Sequence, residues 1–294
     1  MNNFFSKKLS YIFYKRSTKQ VMASIGDDYP SNLEITFAGL PSLNSATIRI
    51  YNLNKNVMNL LTFLNFRSHE VSDLYVECLN ENKTVFIGDI INSTPVYNMP
   101  NPYLDIKAMT DILYLVSPSP EISYAIVGNR DYTTISVPEI AKRIFSDTQK
   151  ALVFHDVGLI RVLDPHYRGS KIEQLEKLKT DADINIVVNY DNVKFFSKYK
   201  GATFETYNID ASNNSIVEQI SNDKEGINFS MLFNNNLELG SKIQIYNDKI
   251  NRQANGVFYV YDLTHRLSNK IPGAEFFTHV RAHFLQEEDN GKRF

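Results

Sequence analysis

The sequence predicts a β-rich α+β protein in which two β-rich segments flank a small α/β unit. Apolar and polar residues alternate through roughly the first hundred residues and again after Gly201, as in strands that bury one face. Between these segments, two stretches with helical apolar spacing each begin with a helix-capping sequence. The 17 tyrosines and 19 phenylalanines also favour strands.

The N-terminal segment is basic before its first acidic residue, Asp27, with bases at Lys7, Lys8, Lys15, Arg16 and Lys19. We interpret it as a first strand with a basic face. A mitochondrial presequence is the alternative, whereas a secretory signal needs an apolar stretch that these bases interrupt. The sequons at Asn92, Asn213 and Asn228 therefore predict no function, because glycosylation needs a secreted protein.

The rest of the first segment predicts strands, one helix and short turns. Alternation predicts strands around Leu33–Phe37, Thr47–Tyr51 and Leu74–Cys78, with a closing strand at Tyr103–Thr110. Turn residues occur at Asp27–Pro30 and Asn80–Asn82. The helix is predicted from an apolar face made of Val57, Leu60, Leu61 and Leu64.

The sequence Ser117-Pro118-Ser119-Pro120 predicts a domain boundary, because each proline favours extended backbone. We predict a first domain over 1–116, a small α/β domain over 117–200 and a last domain over 201–294. In the middle domain, capping boxes at Ser136–Glu139 and Ser170–Glu173 begin two helices. Their apolar faces comprise Val137, Ile140, Ala141, Ile144 and Phe145, then Ile172, Leu175, Leu178 and Ala182. Strands Ile184–Val188 and Val193–Phe196 follow, and the turn Tyr190–Asn192 between them predicts a hairpin.

Strand patterns return in the last segment. Ile243 and Ile245 alternate with polar residues, and Asn255-Gly256 predicts a tight turn because both residues tolerate positive φ. A long strand, Val257–Leu267, is predicted next. Pro272-Gly273 then predicts a turn into a strand at Ala274–Leu285.

Composition excludes several classes of protein. The formal charge of −2 argues against a dedicated nucleic-acid binder, which usually has a strong basic excess. The single cysteine, Cys78, excludes an internal disulfide framework and a multi-cysteine zinc site. No apolar run of about 18 residues occurs, so no transmembrane helix or membrane insertion is predicted.

The residue types that carry chemistry form no convincing constellation, and we predict no catalytic residue, cofactor or metal site. His279 and His283 have the i, i+4 spacing of a helical zinc site but lie in a predicted strand. His265 is interpreted as a half-buried structural histidine and Cys78 as a core residue. The remaining candidates are His69, His155-Asp156, Asp164-Pro165-His166 and the carboxylate groups Asp181/Asp183 and Glu287–Asp289. The aromatic-basic stretch Tyr11–Arg16 is interpreted as strand packing, and stacking on nucleic-acid bases is the alternative.

The order of motifs resembles the baseplate hub proteins of contractile phage tails and the hub part of VgrG-type spike proteins. Three blocks carry the resemblance: Leu33–Phe37 leading into Ala46–Leu53; Gly169-Ser170 with its helix and the hairpin Ile186–Phe196; and, last, Gly226–Leu232, Asn234, Leu237, Gly240, Ile243–Ile245, Asn255–Val260, Thr264-His265 and Thr278–Ala282. The sequence departs from the family pattern at Asn235, where proline is common, and at Phe276-Phe277, where tryptophan is frequent.

The resemblance implies a structural function. Such hubs have two similar β-barrel domains flanking a small insert, and they form homotrimers whose barrels make a pseudo-sixfold ring. The ring joins a hexameric tail tube protein to a trimeric spike or needle protein and leaves a lumen through which DNA passes without specific binding. Tape measure and baseplate wedge proteins are further implied neighbours, and the implied location is the tail baseplate of the virion, after assembly in the host cytoplasm.

Two other classes of function stay open at this point. One is a tail-associated cell-wall hydrolase, which would need a clustered carboxylate or Cys/His constellation. The other is a carbohydrate- or nucleic-acid-binding module, which a glycan signal or a salt-dependent affinity for DNA would reveal.

Overall fold

The computed structural model describes residues 7–63, 72–97, 100–123, 134–198, 206–212, 216–222, 226–247, 249 and 251–284. Within this part of the chain the protein is strongly β-rich, with mostly antiparallel strands, which confirms the predicted fold class at that level.

The first β-rich region contains seven strands and one helix. They are β1 (Leu9–Lys15), β2 (Gln20–Ile25), β3 (Ser31–Phe37), β4 (Ser45–Tyr51), α1 (Lys55–Leu61), β5 (Leu74–Asn80), β6 (Lys83–Val96) and β7 (Tyr103–Met109). Buried residues alternate along β1, β3, β4 and β7, as the sequence pattern predicts. The predicted face of α1 is wrong in part: Met58 and Leu61 are buried, whereas Leu60 is 47 % exposed, and Leu64 lies outside the described residues.

The middle region is a small α/β unit. It comprises α2 (Ile112–Val116), β8 (Ile122–Ser123), β9 (Thr134–Ser136), α3 (Val137–Ile144), β10 (Ala151–His155), β11 (Arg161–Leu163), β12 (His166–Tyr167), α4 (Lys171–Ala182), β13 (Ile184–Val188) and β14 (Asn192–Ser197). The predicted hairpin of β13 and β14 is confirmed. A third strand of the same sheet, β10, pairs in parallel with β14 and was not predicted.

The two predicted capping boxes differ in the structure. At α4 the Ser170 hydroxyl accepts from the Glu173 amide while the Glu173 carboxylate accepts from the Ser170 amide, so this box is confirmed. At α3 the prediction is wrong, because Ser136 stands at the N-cap without a side-chain cap bond, although proline occupies the first turn as expected. The predicted apolar face of α3 is buried.

The last region again consists of strands. They are β15 (Thr206–Asp210), β16 (Ser221–Asn222), β17 (Gly226–Leu232), β18 (Lys242–Tyr246), β19 (Gly256–Asn269) and β20 (Phe276–Phe284). The tight turn predicted at Asn255-Gly256 is wrong. Asn255 has φ −75°, and Gly256 is already the first residue of β19, opposite Ile245. A one-turn 3-10 helix at Arg252–Ala254 leads the chain into β19 instead. The turn at Pro272-Gly273 is confirmed, with Gly273 at φ +71°.

Both β-rich regions contribute to one sheet of 13 strands. Its central joint is the antiparallel pair β3–β19, in which Leu33 lies opposite Leu267. From that joint the pairing runs through β4, β7, β6, β5 and β1 to β2 in one direction. In the other direction β19 pairs with both β20 and β18. Pairings among the described strands leave this path open, so the two closed barrels stay a prediction.

Three clusters of buried apolar side chains underlie these regions. One packs beneath β1 to β7 and takes in Phe233, Leu267 and Phe276 from the last region. A second fills the α/β unit between α3, α4 and β13–β14. The third lies beneath β17 to β20 and takes in Phe196 from β14. The second cluster also takes in Leu40 and Leu43 from the first region. Because all three clusters draw side chains from more than one region, the three regions are packed together.

Candidate assembly surfaces

The described histidines that the sequence singled out make contacts within the fold. Within the described ranges, no group of three or more His, Cys, Asp and Glu side chains could hold a metal ion. His265 is fully buried, not half-buried, between the edges of Phe37 and Phe233, and its Nδ1 is 3.0 Å from Thr278 Oγ1. Burial lowers the pKa of His265 to about 3, so the ring is neutral. His69 lies outside the described residues.

Most of the other sequence candidates lie among the described residues. Cys78 is buried, and burial raises the pKa of its thiol, as expected of a core cysteine. His166 Nε2 faces Glu121 Oε1 at 3.5 Å. Burial lowers the pKa of His155. Asp183 is the left-handed C-cap of α4 and pairs with Lys198, while Glu287–Asp289 lie outside the described ranges.

One constellation was missed by sequence reasoning. The Ser230 hydroxyl donates to Glu218 Oε2, and His279 Nδ1 lies 2.6 Å from Ser230 Oγ. A catalytic serine would pass its proton to the imidazole and present its oxygen to substrate. Here the proton is engaged by Glu218, and Ser230 is only 1 % exposed. The hydrogen bonds of Glu218, Ser230 and His279 therefore attach residues 216–220 to β17 and β20. The backbone amides of Val217 and Glu218 also donate hydrogen bonds to the Ser230 carbonyl.

The side chains of the aromatic-basic stretch Tyr11–Arg16 make contacts within the protein. Tyr11 and Phe13 are buried in the first core. Tyr14 stacks on Tyr75 with ring centroids 4.8 Å apart. Arg16 forms an ion pair with the buried Asp89. Strand packing, not an open base-stacking platform, accounts for this segment.

Contacts of Lys150 and Tyr190 join the α/β unit to the first β-rich region, with Asp111 lying between β7 and α2. Lys150 pairs with Asp111 at the start of α2, and its side chain also lies over the Tyr190 ring. Burial raises the pKa of Asp111, and the neighbouring Lys150 opposes that shift. Tyr190 continues the tyrosine stack begun by Tyr14 and Tyr75. This joint fixes the position of the unit relative to the sheet.

The sheet has one polar face on which charges alternate across the strands. We call it the charged face, and define it by Glu34, Arg49, Asp105, Lys107, Asp262, Arg266, Glu275 and Arg281. Cross-strand neighbours pair there: Arg49 Nε lies 2.8 Å from Asp105 Oδ1, Arg266 Nε 3.4 Å from Glu34 Oε2, and Arg281 Nη1 3.7 Å from Asp262 Oδ2. Equal numbers of acids and bases make the face neutral as a whole, so it presents no concentrated charge of either sign.

The ends of the sheet are a second kind of surface. Among the strands that the structure describes, β2 pairs only with β1 and β15 only with β18. A strand paired on one side presents unpaired backbone donors and acceptors on the other, which is a template for another chain. Among the described strands, these edges are therefore candidate surfaces for pairing with another chain.

The family comparison decides the identity. A family model described as baseplate hub gp41 matches residues 26–282. The chain belongs to this baseplate hub family. The family is one of structural proteins of the phage tail baseplate, which accords with the resemblance carried by the sequence motifs. No curated protein sequence matches the hub chain.

Solved structures share the fold of the hub chain. The tail protein from Neisseria meningitidis MC58 superposes with a TM-score of 0.60 at 10 % identity, covering 94 % of this chain and 96 % of that one. The 43 kDa tail protein of prophage MuSo2 from Shewanella oneidensis gives 0.59 at 7 % identity, covering 94 % and 98 %. The E. coli c3393 protein, a component of the type VI secretion system similar to T4 tail proteins gp27 and gp5, gives 0.58 at 10 % identity, covering 90 % and 77 %.

In the described part of the hub chain, no helix has the length and apolar character needed to cross a bilayer.

Proposed function

We propose that the hub chain forms a homotrimer whose β-rich domains make a pseudo-sixfold ring between the hexameric tail tube protein and the trimeric spike or needle protein. Its domains are 1–116, 117–200 and 201–294, the outer two acting as barrels once neighbouring copies complete them. The family membership and the tail-protein fold support this proposal. Tape measure and baseplate wedge proteins are the further neighbours, and assembly takes place in the host cytoplasm before incorporation into the virion.

The charged face is the observation that carries the proposal. A lumen through which DNA passes must not hold it, and affinity for DNA comes mainly from lysines and arginines that neutralise phosphates. On this face Arg49, Arg266 and Arg281 are each paired with a carboxylate. A wall of this composition suits a lumen that conducts a polyanion without binding it, and we assign the charged face to that wall.

The proposal is tested by the mass and shape of the purified protein. Light scattering should give three copies of the 33.8 kDa chain, about 101 kDa, and negative-stain images of the same peak should show a ring with a central hole. A compact monomer at every concentration, both alone and with its spike, would overturn the trimeric ring. Screens for cell-wall hydrolysis and glycan binding on the same material would then address the other two classes of function.

A further inference from the structure

A cavity lies where the three regions of the hub chain meet. Its volume is about 290 Å³. The first region supplies Phe37, Asn44, Thr110 and residues 84–87, the α/β unit supplies the turn of the β13–β14 hairpin, and the last region supplies residues between 235 and 239. Small-molecule sites form preferentially at such junctions, and their volumes begin at roughly 300 Å³. We call this space the junction cavity.

Several polar groups that line the junction cavity are not used by the fold. The exposed Asp191 side chain forms no hydrogen bond or ion pair with the described residues. Asn192 accepts from Asn189 through Oδ1, and its Nδ2 group has no partner in the described part of the chain. Among those same residues the Lys194 ammonium pairs with Glu238 alone, so two of its three N–H groups remain. The cavity wall therefore offers a ligand one acceptor and two kinds of donor.

A chain of side-chain amides holds this polar wall in place. Asn44 is buried, and its Oδ1 accepts from the Ala38 amide. Its Nδ2 donates to the Val188 carbonyl at 3.1 Å and to Asn189 Oδ1 at 2.9 Å. Asn189 Nδ2 then donates to Asn192 Oδ1 at 3.0 Å. The polar groups are thus fixed before a ligand arrives, which lowers the entropy cost of binding.

The remaining wall is apolar, and the charges of the cavity nearly balance. Phe86 and Val187 line it as buried side chains. Its charged lining residues are two acids, Asp191 and Glu238, and one base, Lys194. The acids disfavour an anionic ligand, and the ammonium disfavours a cationic one. A neutral molecule with several hydroxyl groups fits both walls, because each hydroxyl can donate and accept while the C–H face packs on the apolar side.

We propose that the junction cavity binds one neutral sugar residue, either a free monosaccharide or the end of a glycan. Asp191 accepts from the sugar hydroxyls, Asn192 and Lys194 donate to them, and Phe86 supports the C–H face. Because the lining residues come from all three regions, a bound sugar also ties the regions together. The site uses no residue of the charged face, so sugar binding does not depend on the proposed ring.

Saturation-transfer NMR on the full-length protein tests the site with three probes: D-glucose, D-galactose and N-acetyl-D-glucosamine. At least one probe should receive saturation from the protein, with a dissociation constant in the millimolar range expected for a few hydrogen bonds. Asp191→Asn should weaken binding about tenfold, because the hydrogen bonds to a charged acceptor are lost. Asp156→Asn, at an exposed carboxylate of the same unit outside the cavity, is the matched control and should leave the affinity unchanged.

The sugar site and the ring are tested separately. Absence of saturation transfer to all three probes would overturn the sugar site, and so would equal affinities of Asp191→Asn and the natural protein. A disaccharide that ends in the bound probe (maltose, lactose or N,N′-diacetylchitobiose) separates the two sources: tighter binding than the probe supports a glycan end, and equal binding supports a free monosaccharide. Light scattering on the same samples reports the ring, since a monomer that binds sugar would support the site and contradict the trimer.

Discussion

The Ser268 hydroxyl donates a 2.8 Å hydrogen bond to the Asn32 side-chain oxygen across 236 residues of sequence. This bond lies on the β3–β19 pair, where Ser268 is opposite Asn32 in the register. It marks the place at which the first and last parts of the hub chain become one sheet. The apolar side of the same pair, Leu33 opposite Leu267, should therefore contribute strongly to stability.

Truncation at this joint should destabilise the whole protein. Leu267 is 1 % exposed and packs in the first core although it belongs to the last region. Leu267→Ala should lower the free energy of unfolding by about 2–5 kcal/mol, through lost burial and the cavity left behind. Urea unfolding at fixed protein concentration measures the change. Leu159→Ala, at a fully exposed position, is the control and should change stability by less than about 0.5 kcal/mol. If Leu159→Ala and Leu267→Ala lowered stability equally, the contribution of the β3–β19 pair to stability would be contradicted.

The two serines at the starts of α3 and α4 form a matched pair. Ser170→Ala removes a capping box and should cost about 1 kcal/mol, whereas Ser136→Ala removes a hydroxyl that makes no cap bond. Thermal unfolding of the two variants measures the difference. A cost at Ser136 equal to that at Ser170 would show that a capping bond forms at α3 in solution.

His265 should make stability fall in acid. Its folded pKa of about 3 is below the ordinary 6.5, so above pH 6.5 neither the folded nor the unfolded state is protonated and the full stability is present. As pH falls below 6.5 the unfolded state takes up a proton first, and stability declines until pH approaches 3. Between pH 7 and 5 this decline should amount to roughly 2 kcal/mol.

The His265→Gln variant isolates that contribution, because glutamine does not titrate and can still bond Thr278. Its stability, measured by urea unfolding across the same range, should depend less on pH than that of the natural protein. Parallel curves for the two proteins would mean that His265 is not the group responsible.

Charge reversal on the charged face should create affinity for DNA. The natural protein should show no retention of DNA at physiological salt. Glu34→Lys combined with Asp262→Lys frees Arg281, leaves Arg266 paired only with Glu275 and adds two bases. Binding should therefore appear at low salt and weaken steeply as salt rises. Electrophoretic mobility shifts measure this. Glu81→Lys with Glu139→Lys, at exposed positions outside the charged face, gives the same change in net charge and is the control. DNA binding by the natural protein would contradict the assignment of this face.

Local patterns predicted most of the elements but little of their arrangement. The alternation in β3 and β4, the capping box at Ser170 and the turn at Gly273 depend on neighbours in sequence, and the structure confirms them. The prediction of a tight turn at Asn255-Gly256 was wrong because Gly256 pairs with Ile245 in the sheet. This tertiary constraint overrides the local turn preference. The exposed Leu60 shows the same limit in a helix, since the identity of the buried face depends on what packs against it.

The surfaces were the least predictable part. The charged face depends on register: Glu34 meets Arg266 only because β3 and β19 pair in one of many alignments. The same holds for Ser230 and His279, which are separated by 49 residues and brought together by β17 and β20. The family resemblance predicted the class of protein without any of these contacts, because the order of motifs is a property of the sequence alone.

The β3–β19 pair also has a mechanical consequence. Seven successive residue pairs join the first and last parts of the chain. A load that pulls these parts apart must break a ladder of backbone hydrogen bonds, not only slide one side-chain surface past another. If the proposed ring transmits force between tube and spike, part of that force would travel through main-chain hydrogen bonds within each copy, and the first and last parts of the chain would move as one stiff body.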